Sequence, residues 1–199
     1  MKLLQERIRQ EGLILSDKVL KVDSFLNHQV DTGLALEIGR EFARIFGHQP
    51  ITKVLTIEAS GIQFAMATAM VLNVPFIYAK KKKAVTLSEN VYSVPVHSFT
   101  RQETYQVSVS QKYLGSSDKV LIVDDFLATG AALVGLVDIV KEAGAELVGV
   151  GSVIEKSFQE GRSLLENKGV QVHSLARIAS MKPGEIHFIE DQGRVQHVK

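Results

Sequence analysis

The chain has 199 residues, 45% hydrophobic and 23% charged, which suits one α/β domain with a sizeable core spanning residues 1–199. A formal net charge of +1 gives no global attraction to nucleic acid or to an anionic membrane, so an anionic ligand must be met by a local cluster of donors. The absence of cysteine excludes disulfides and thiolate zinc sites, and neither a signal-peptide core nor an apolar run near the ~20 residues of a membrane span is found, so a cytoplasmic protein is expected.

Leu3–Glu11 reads as a short amphipathic helix, with Leu3, Leu4 and Ile8 on one side and Gly12 at its end. Ile14–Asn27 alternates weakly and suits a small peripheral strand or hood, so residues 1–30 are expected to cover the core from one side. Asp31–Phe46 is a second helix, capped by Asp31 or Thr32 and ended by Gly47. From Ile51 the pattern changes to strand–helix units: Ile51–Ile57 strand, Ile62–Leu72 helix, Pro75–Ala79 strand, then a polar stretch at Lys80–Lys83. Residues 84–111 break the rhythm, with short alternating runs at Val91–Val96 and Tyr105–Val109, and predict a hairpin or a long mobile loop. Val120–Val123 is a strand, Asp124–Gly130 a polar turn, and Ala131–Ala143 a helix closed by Gly144. Leu147–Ile154 strand, Phe158–Asn167 helix and Val170–Ala176 strand complete the series. Continuous apolar strands alternating with helices predict a central parallel sheet flanked by helices, with ligands at the carboxyl ends of the strands.

Chemistry concentrates in Val120–Ala132, VLIVDDFLATGAA. A buried strand delivers Asp124 and Asp125, and a turn of small residues then opens a helix. Successive backbone N–H groups at Ala128, Thr129, Gly130, Ala131 and Ala132, backed by the helix dipole, suit a phosphate, and the Thr129 hydroxyl can add a contact. Two carboxylates suit sugar hydroxyls or a magnesium ion instead. Helix capping alone would need one acidic group and no such turn. A second strand end carries Glu58-Ala59-Ser60-Gly61, which reads as another anion-binding turn. Lys80–Lys83 is either a solvated charge run or a basic cluster at the same sheet edge. Lys156 ends a strand beside the phosphate strand; with donors only, it can serve a carbonyl oxygen of a ligand in the same cleft and would oppose an amino group. A surface lysine ahead of a helix is the competing reading. The six histidines, His28, His48, His97, His173, His187 and His197, show no metal-ligand spacing.

VLIVDDFLATGAA resembles the phosphoribosyl pyrophosphate (PRPP) signature of the type I phosphoribosyltransferases, in the form found in purine salvage. The resemblance runs from about Ile14 to Ile189 and implies that family's fold, with an N-terminal hood and a mobile hairpin over residues 84–111. Phe126 is bulkier than the usual aliphatic residue, a change of packing, and Ala132 stands where many members carry Thr or Ser. The resemblance implies that Asp124 and Asp125 face the ribose hydroxyls and that Ala128–Ala132 bind the 5′-phosphate. It implies pyrophosphate contacts from Ala59, Ser60, Gly61 and Lys81, although Ser60 replaces an Arg common in adenine enzymes. Magnesium is expected to arrive with PRPP, with Asp124 the candidate protein ligand. The segment Ala84–Tyr105 would close over the reaction centre and exclude water.

Within the family the resemblance is nearest to bacterial enzymes that use xanthine, which adds Leu20 and Asn27 to Lys156 as purine contacts and implies xanthosine monophosphate as product, purine salvage as role and a homodimer as assembly. Guanine, hypoxanthine and, against Lys156, adenine stay open as bases. So does a regulator that senses PRPP on the same fold without catalysis, which the near-neutral charge and the roughly thirty residues ahead of the core disfavour.

Overall fold

The computed structural model describes residues 1–82, 90–98 and 103–189. The N-terminal segment begins with α1 (Lys2–Glu11), whose Leu4 and Ile8, one turn apart, are buried while Leu3 is exposed rather than sharing their face. A two-stranded antiparallel ribbon of β1 (Leu13–Ile14) and β2 (Leu20–Lys21) follows, then a π-helical turn at Asp23–Asn27. Helix α2 (Thr32–Phe46) starts as its sequence predicts, with the Asp31 carboxylate accepting from the Leu34 N–H at 3.0 Å.

The core alternates β3 (Lys53–Ile57), α3 (Ile62–Leu72), β4 (Phe76–Lys82), β5 (Val91–Ser98), β6 (Glu103–Ser110), β7 (Lys119–Leu127), α4 (Ala131–Glu142), β8 (Glu146–Lys156), α5 (Gly161–Asn167), β9 (Val172–Lys182) and β10 (Glu185–Phe188). Among the described residues eight strands form one sheet in the order β10-β9-β8-β7-β3-β4-β6-β5. Its five central strands, β9 to β4, run parallel; β10 at one edge and the β5–β6 hairpin at the other are antiparallel. One core cluster unites α1, α2, α3 and the N-terminal segment through Phe25, Phe42, Phe46 and Phe64; the other packs α4 and the hairpin on the opposite face through Leu136, Ile139, Val96 and Val107. No helix among the described residues is long and apolar enough to cross a membrane.

Three expectations change. Strand β7 runs through Leu127, so Asp124 and Asp125 sit in the strand rather than in a polar turn, still paired with β8. Strand β4 continues through the lysines, because Lys80–Lys82 pair with Ser108, Val107 and Gln106 of β6. The hairpin thereby extends the sheet instead of projecting from it. Helix α5 begins at Gly161, after a turn over residues 157–160 where a helix is expected from Phe158. Of the expected closing segment, residues 84–89 and 99–102 lie outside the described residues, and the remainder belongs to the hairpin of β5 and β6.

Candidate active site

Strands β3 and β7 lie side by side, and the chain leaves them in opposite directions, to β4 on one side and to β8 on the other. In an open α/β sheet such a switch point opens a crevice beyond the carboxyl ends of the strands. Helix α3 starts there from Gly61 and α4 from Gly130, and neither cap has a side chain to accept from the first turn. Two helix N-termini thus present amide groups and positive dipole ends to the same crevice, without the carboxylate cap that α2 has.

Between them lie Asp124 and Asp125, only 5% and 8% exposed. The Asp125 N–H donates to Asp124 Oδ1 at 3.0 Å. Burial, and next the Asp125 carboxylate, push the Asp124 carboxyl well above its ordinary range, while the Lys81 ammonium pulls the other way. A Cβ on Gly61 would collide with both Thr56 Oγ1 and Asp124 Oδ1, so the turn after β3 lies directly on the Asp124 carboxylate. Thr56 is fully buried there, and its hydroxyl has no hydrogen-bond partner. The same turn contains a cis peptide between Glu58 and Ala59. The Glu58 carboxylate accepts from the Lys81 N–H at 2.6 Å, and the Lys81 ammonium stands 5.6 Å from the centroid of the Tyr105 ring. The structure therefore brings Ala59, Ser60, Gly61, Lys81 and Asp124 to one place.

The turn 128–132 enters α4 through Gly130 at φ +83, a left-handed conformation that favours glycine. A Cβ on Gly130 would come 2.7 Å from the Cα of Gly161. The sequence explains this small residue by the approach of an anion; the structure adds backbone conformation and close passage of a second turn.

At the end of β8, Lys156 Nζ donates to the Lys18 carbonyl of the N-terminal segment at 2.6 Å and stands 5.3 Å from the centroid of the Phe126 ring. Burial lowers the pKa of this ammonium. Phe126 thus does more than pack, since its face lies beneath the lysine expected to read the base. Leu20 is buried in the main core cluster, and Asn27 is the exposed last residue of the π-helical turn. The neighbouring Leu26 carbonyl accepts from Gln63 Nε2 at 2.8 Å, which ties this turn to the first turn of α3.

Glu155 is a candidate that the sequence alone does not single out. Its carboxylate is 1% exposed and receives Arg162 Nε at 2.9 Å and Nη2 at 2.6 Å, with Ser157 Oγ at 2.6 Å and Arg177 at 3.4 Å. These donors outweigh burial and hold its pKa down to about 2. An acidic residue closing an apolar strand run, with an arginine seven positions on, was the available signal.

Asp124 and Asp125 offer only oxygen donors, as a hard divalent cation requires, and a buried pair of carboxylates gains from a positive charge placed on it. Among the described residues no group of three or more His, Asp or Glu could hold a metal ion. The pair therefore fits a magnesium ion that takes most of its ligands from phosphate and water.

The family model described as the phosphoribosyl transferase domain matches residues 28–175. The chain belongs to the phosphoribosyltransferase family. It is 72% identical over 192 residues to a xanthine phosphoribosyltransferase of Brevibacillus brevis, covering 96% of this chain and 98% of that one. The xanthine phosphoribosyltransferase of Shouchella clausii is 54% identical over 200 residues, all of both chains. The crystal structure of the Giardia lamblia adenine phosphoribosyltransferase complexed with 9-deazaadenine superposes with a TM-score of 0.73 at 23% identity, covering 87% of this chain and 97% of that one. The sheet and its flanking helices are thus the type I phosphoribosyltransferase fold, and the chain is a phosphoribosyltransferase in sequence and in architecture.

Proposed function

We propose that this phosphoribosyltransferase moves the 5-phosphoribosyl group of PRPP to N9 of xanthine, forming xanthosine monophosphate and pyrophosphate in purine salvage. The observation that carries it is the meeting, in the β3/β7 crevice, of two helix N-termini without side-chain caps and a buried carboxylate pair between them. One N-terminus suits each phosphate-bearing end of PRPP, and the carboxylates suit the ribose between. The high identity to xanthine enzymes supports the choice of base.

On this reading residues 1–199 act as a single domain. Ala128, Thr129, Gly130, Ala131 and Ala132 hold the 5′-phosphate through their N–H groups and the Thr129 hydroxyl. Asp124 and Asp125 accept from the ribose hydroxyls. Ala59, Ser60, Gly61 and Lys81 hold the pyrophosphate. Leu20 packs on the purine, Asn27 meets its edge, and Lys156 donates to the 6-oxo group. The N9 lone pair forms the bond to ribose C1 as the bond from C1 to the pyrophosphate oxygen breaks, and the purine proton leaves to solvent. Positioning and fixed charge supply the rate, with no covalent nucleophile. Asp124 is the residue that would meet a magnesium ion arriving with PRPP, and such an ion would supply charge neutralisation at the pyrophosphate.

The reading includes a cytoplasmic enzyme that meets small molecules and neither nucleic acid nor membrane. It also includes a homodimer, since Met66, Met70 and Val71 of α3 are exposed apolar side chains, as is Tyr78 of β4.

The test is a steady-state assay with magnesium, PRPP and each of xanthine, guanine, hypoxanthine and adenine, run on the wild type and on Lys156→Ala. Xanthine is expected to be the best substrate and adenine the poorest. Loss of one charged hydrogen bond should lower kcat/KM for xanthine in Lys156→Ala roughly 10- to 100-fold, with the KM for PRPP changed less than about threefold. Equal losses for base and PRPP would remove Lys156 from base recognition. PRPP binding without turnover of any base would make the protein a sensor.

A further inference from the structure

The turn that carries Gly130 is not held by its own residues alone. Gly161, the first residue of α5, donates its N–H to the Ala128 carbonyl at 3.0 Å. A Cβ on Gly161 would collide with that carbonyl and lie 2.6 Å from Leu127 Cδ1 and 2.8 Å from the Gly130 nitrogen. The two turns therefore pass backbone against backbone. Arg162, the next residue, is clamped on both sides of its guanidinium. It grips the buried Glu155 carboxylate through Nε and Nη2, and it also donates to Glu166 at 2.9 Å, to the Val172 carbonyl at 3.2 Å and to Ser174 Oγ at 3.4 Å. Glu155 in turn is fixed in the sheet, opposite Leu127 of β7 and Arg177 of β9.

We propose that Glu155, Arg162 and Gly161 form a buttress that positions the turn 128–132 for the ribose 5′-phosphate, without touching the ligand themselves. The proposal rests on the reading of 128–132 as the 5′-phosphate site. A bidentate arginine–carboxylate pair fixes orientation as well as distance, and the rigid Glu155 at the end of a central strand supplies the anchor. Gly161 passes that position to Ala128 and Gly130 through one hydrogen bond and one close contact. The left-handed Gly130 then aims the N–H groups of Ala131 and Ala132. The end of β8 thereby serves both halves of the reaction, through Glu155 toward the phosphate and through Lys156 toward the base.

The experiment compares two inhibitors of the forward reaction, ribose 5-phosphate, which carries only the 5′-phosphate, and pyrophosphate, which occupies the other turn. Inhibition of the wild type by ribose 5-phosphate tests the underlying site, and its absence would sink that reading and the buttress with it. Given such inhibition, Gly161→Ala should raise the inhibition constant for ribose 5-phosphate at least about tenfold while that for pyrophosphate stays within about twofold, as expected when donors move by a fraction of an ångström. Arg162→Lys keeps the charge and loses the fork, so it should show the same split more weakly, and it decides the matter if Gly161→Ala fails to fold. An equal rise in both constants, or no change for ribose 5-phosphate in a folded variant, would overturn the buttress.

Discussion

Glu155 and Lys156 are neighbours at the end of β8 and are treated oppositely by their surroundings. Glu155 gathers two arginines and a serine, whereas Lys156 faces a carbonyl and an aromatic ring and its charge is disfavoured by burial. The lysine was legible because a donor-only side chain at a strand end has a chemical meaning by itself. The glutamate was legible only as an acid closing an apolar run, because its value lies in the contacts that the fold makes between it and the arginines. Its pKa makes a sign-definite prediction. The folded carboxyl titrates at about 2 against an ordinary 4.5, so the unfolded chain takes up the proton first as pH falls. The stabilisation is fully present above about pH 4.5 and is lost on acidification toward about pH 2, amounting to at most about 3 kcal/mol. Thermal unfolding of the wild type and of Glu155→Gln should therefore show a wide gap in Tm near neutrality that narrows steadily below about pH 4.5. A gap independent of pH would mean that the carboxylate charge contributes nothing.

Secondary elements were legible where hydrophobic period and punctuation agreed. Ile62–Leu72 has the bounds expected of it, and α2 has its expected aspartate cap. The end of β7 misled, because two aspartates and a small-residue turn look like a loop although backbone pairing with β8 continues to Leu127. Adjacent carboxylates are tolerated in a central strand here because they lie at its carboxyl end, where the sheet opens into the crevice. The contact of one turn with the next was invisible to sequence, since nothing in Glu58-Ala59-Ser60-Gly61 reports that Gly61 rests on Asp124. Gly61→Ala tests that contact. The added methyl must displace either the turn or the carboxylate, so kcat/KM for PRPP should fall at least about tenfold, with an overpacking cost of about 1–3 kcal/mol seen in Tm. An unchanged kcat/KM would separate the two turns functionally.

At the scale of the molecule, a parallel sheet with its strand carboxyl ends on one edge followed from the alternation of strands and helices; strand order, the switch point and the antiparallel β10, short and half polar, did not. The proposed homodimer is also decided at this scale. Met70 of α3 is 68% exposed and Met66 44%, on a helix apolar nearly all round, and in the proposed dimer a second copy would cover them. Sedimentation should give a dimer for the wild type and a monomer for Met66→Lys with Met70→Lys; a monomeric wild type would refute the assignment. One long-range contact has a further consequence. Lys156 and Lys18 are 138 positions apart, and the hydrogen bond between them joins the N-terminal segment to the body of the protein. On the proposed function the acceptor is a planar carbonyl, the very group that a 6-oxopurine would offer. On that reading one N–H of the Lys156 ammonium stays with Lys18 while another meets the base, so a single charge would hold the N-terminal segment and the substrate together. An amino group cannot accept from any of these donors, so the 6-amino group of adenine would be held less well than a 6-oxo group at the proposed site.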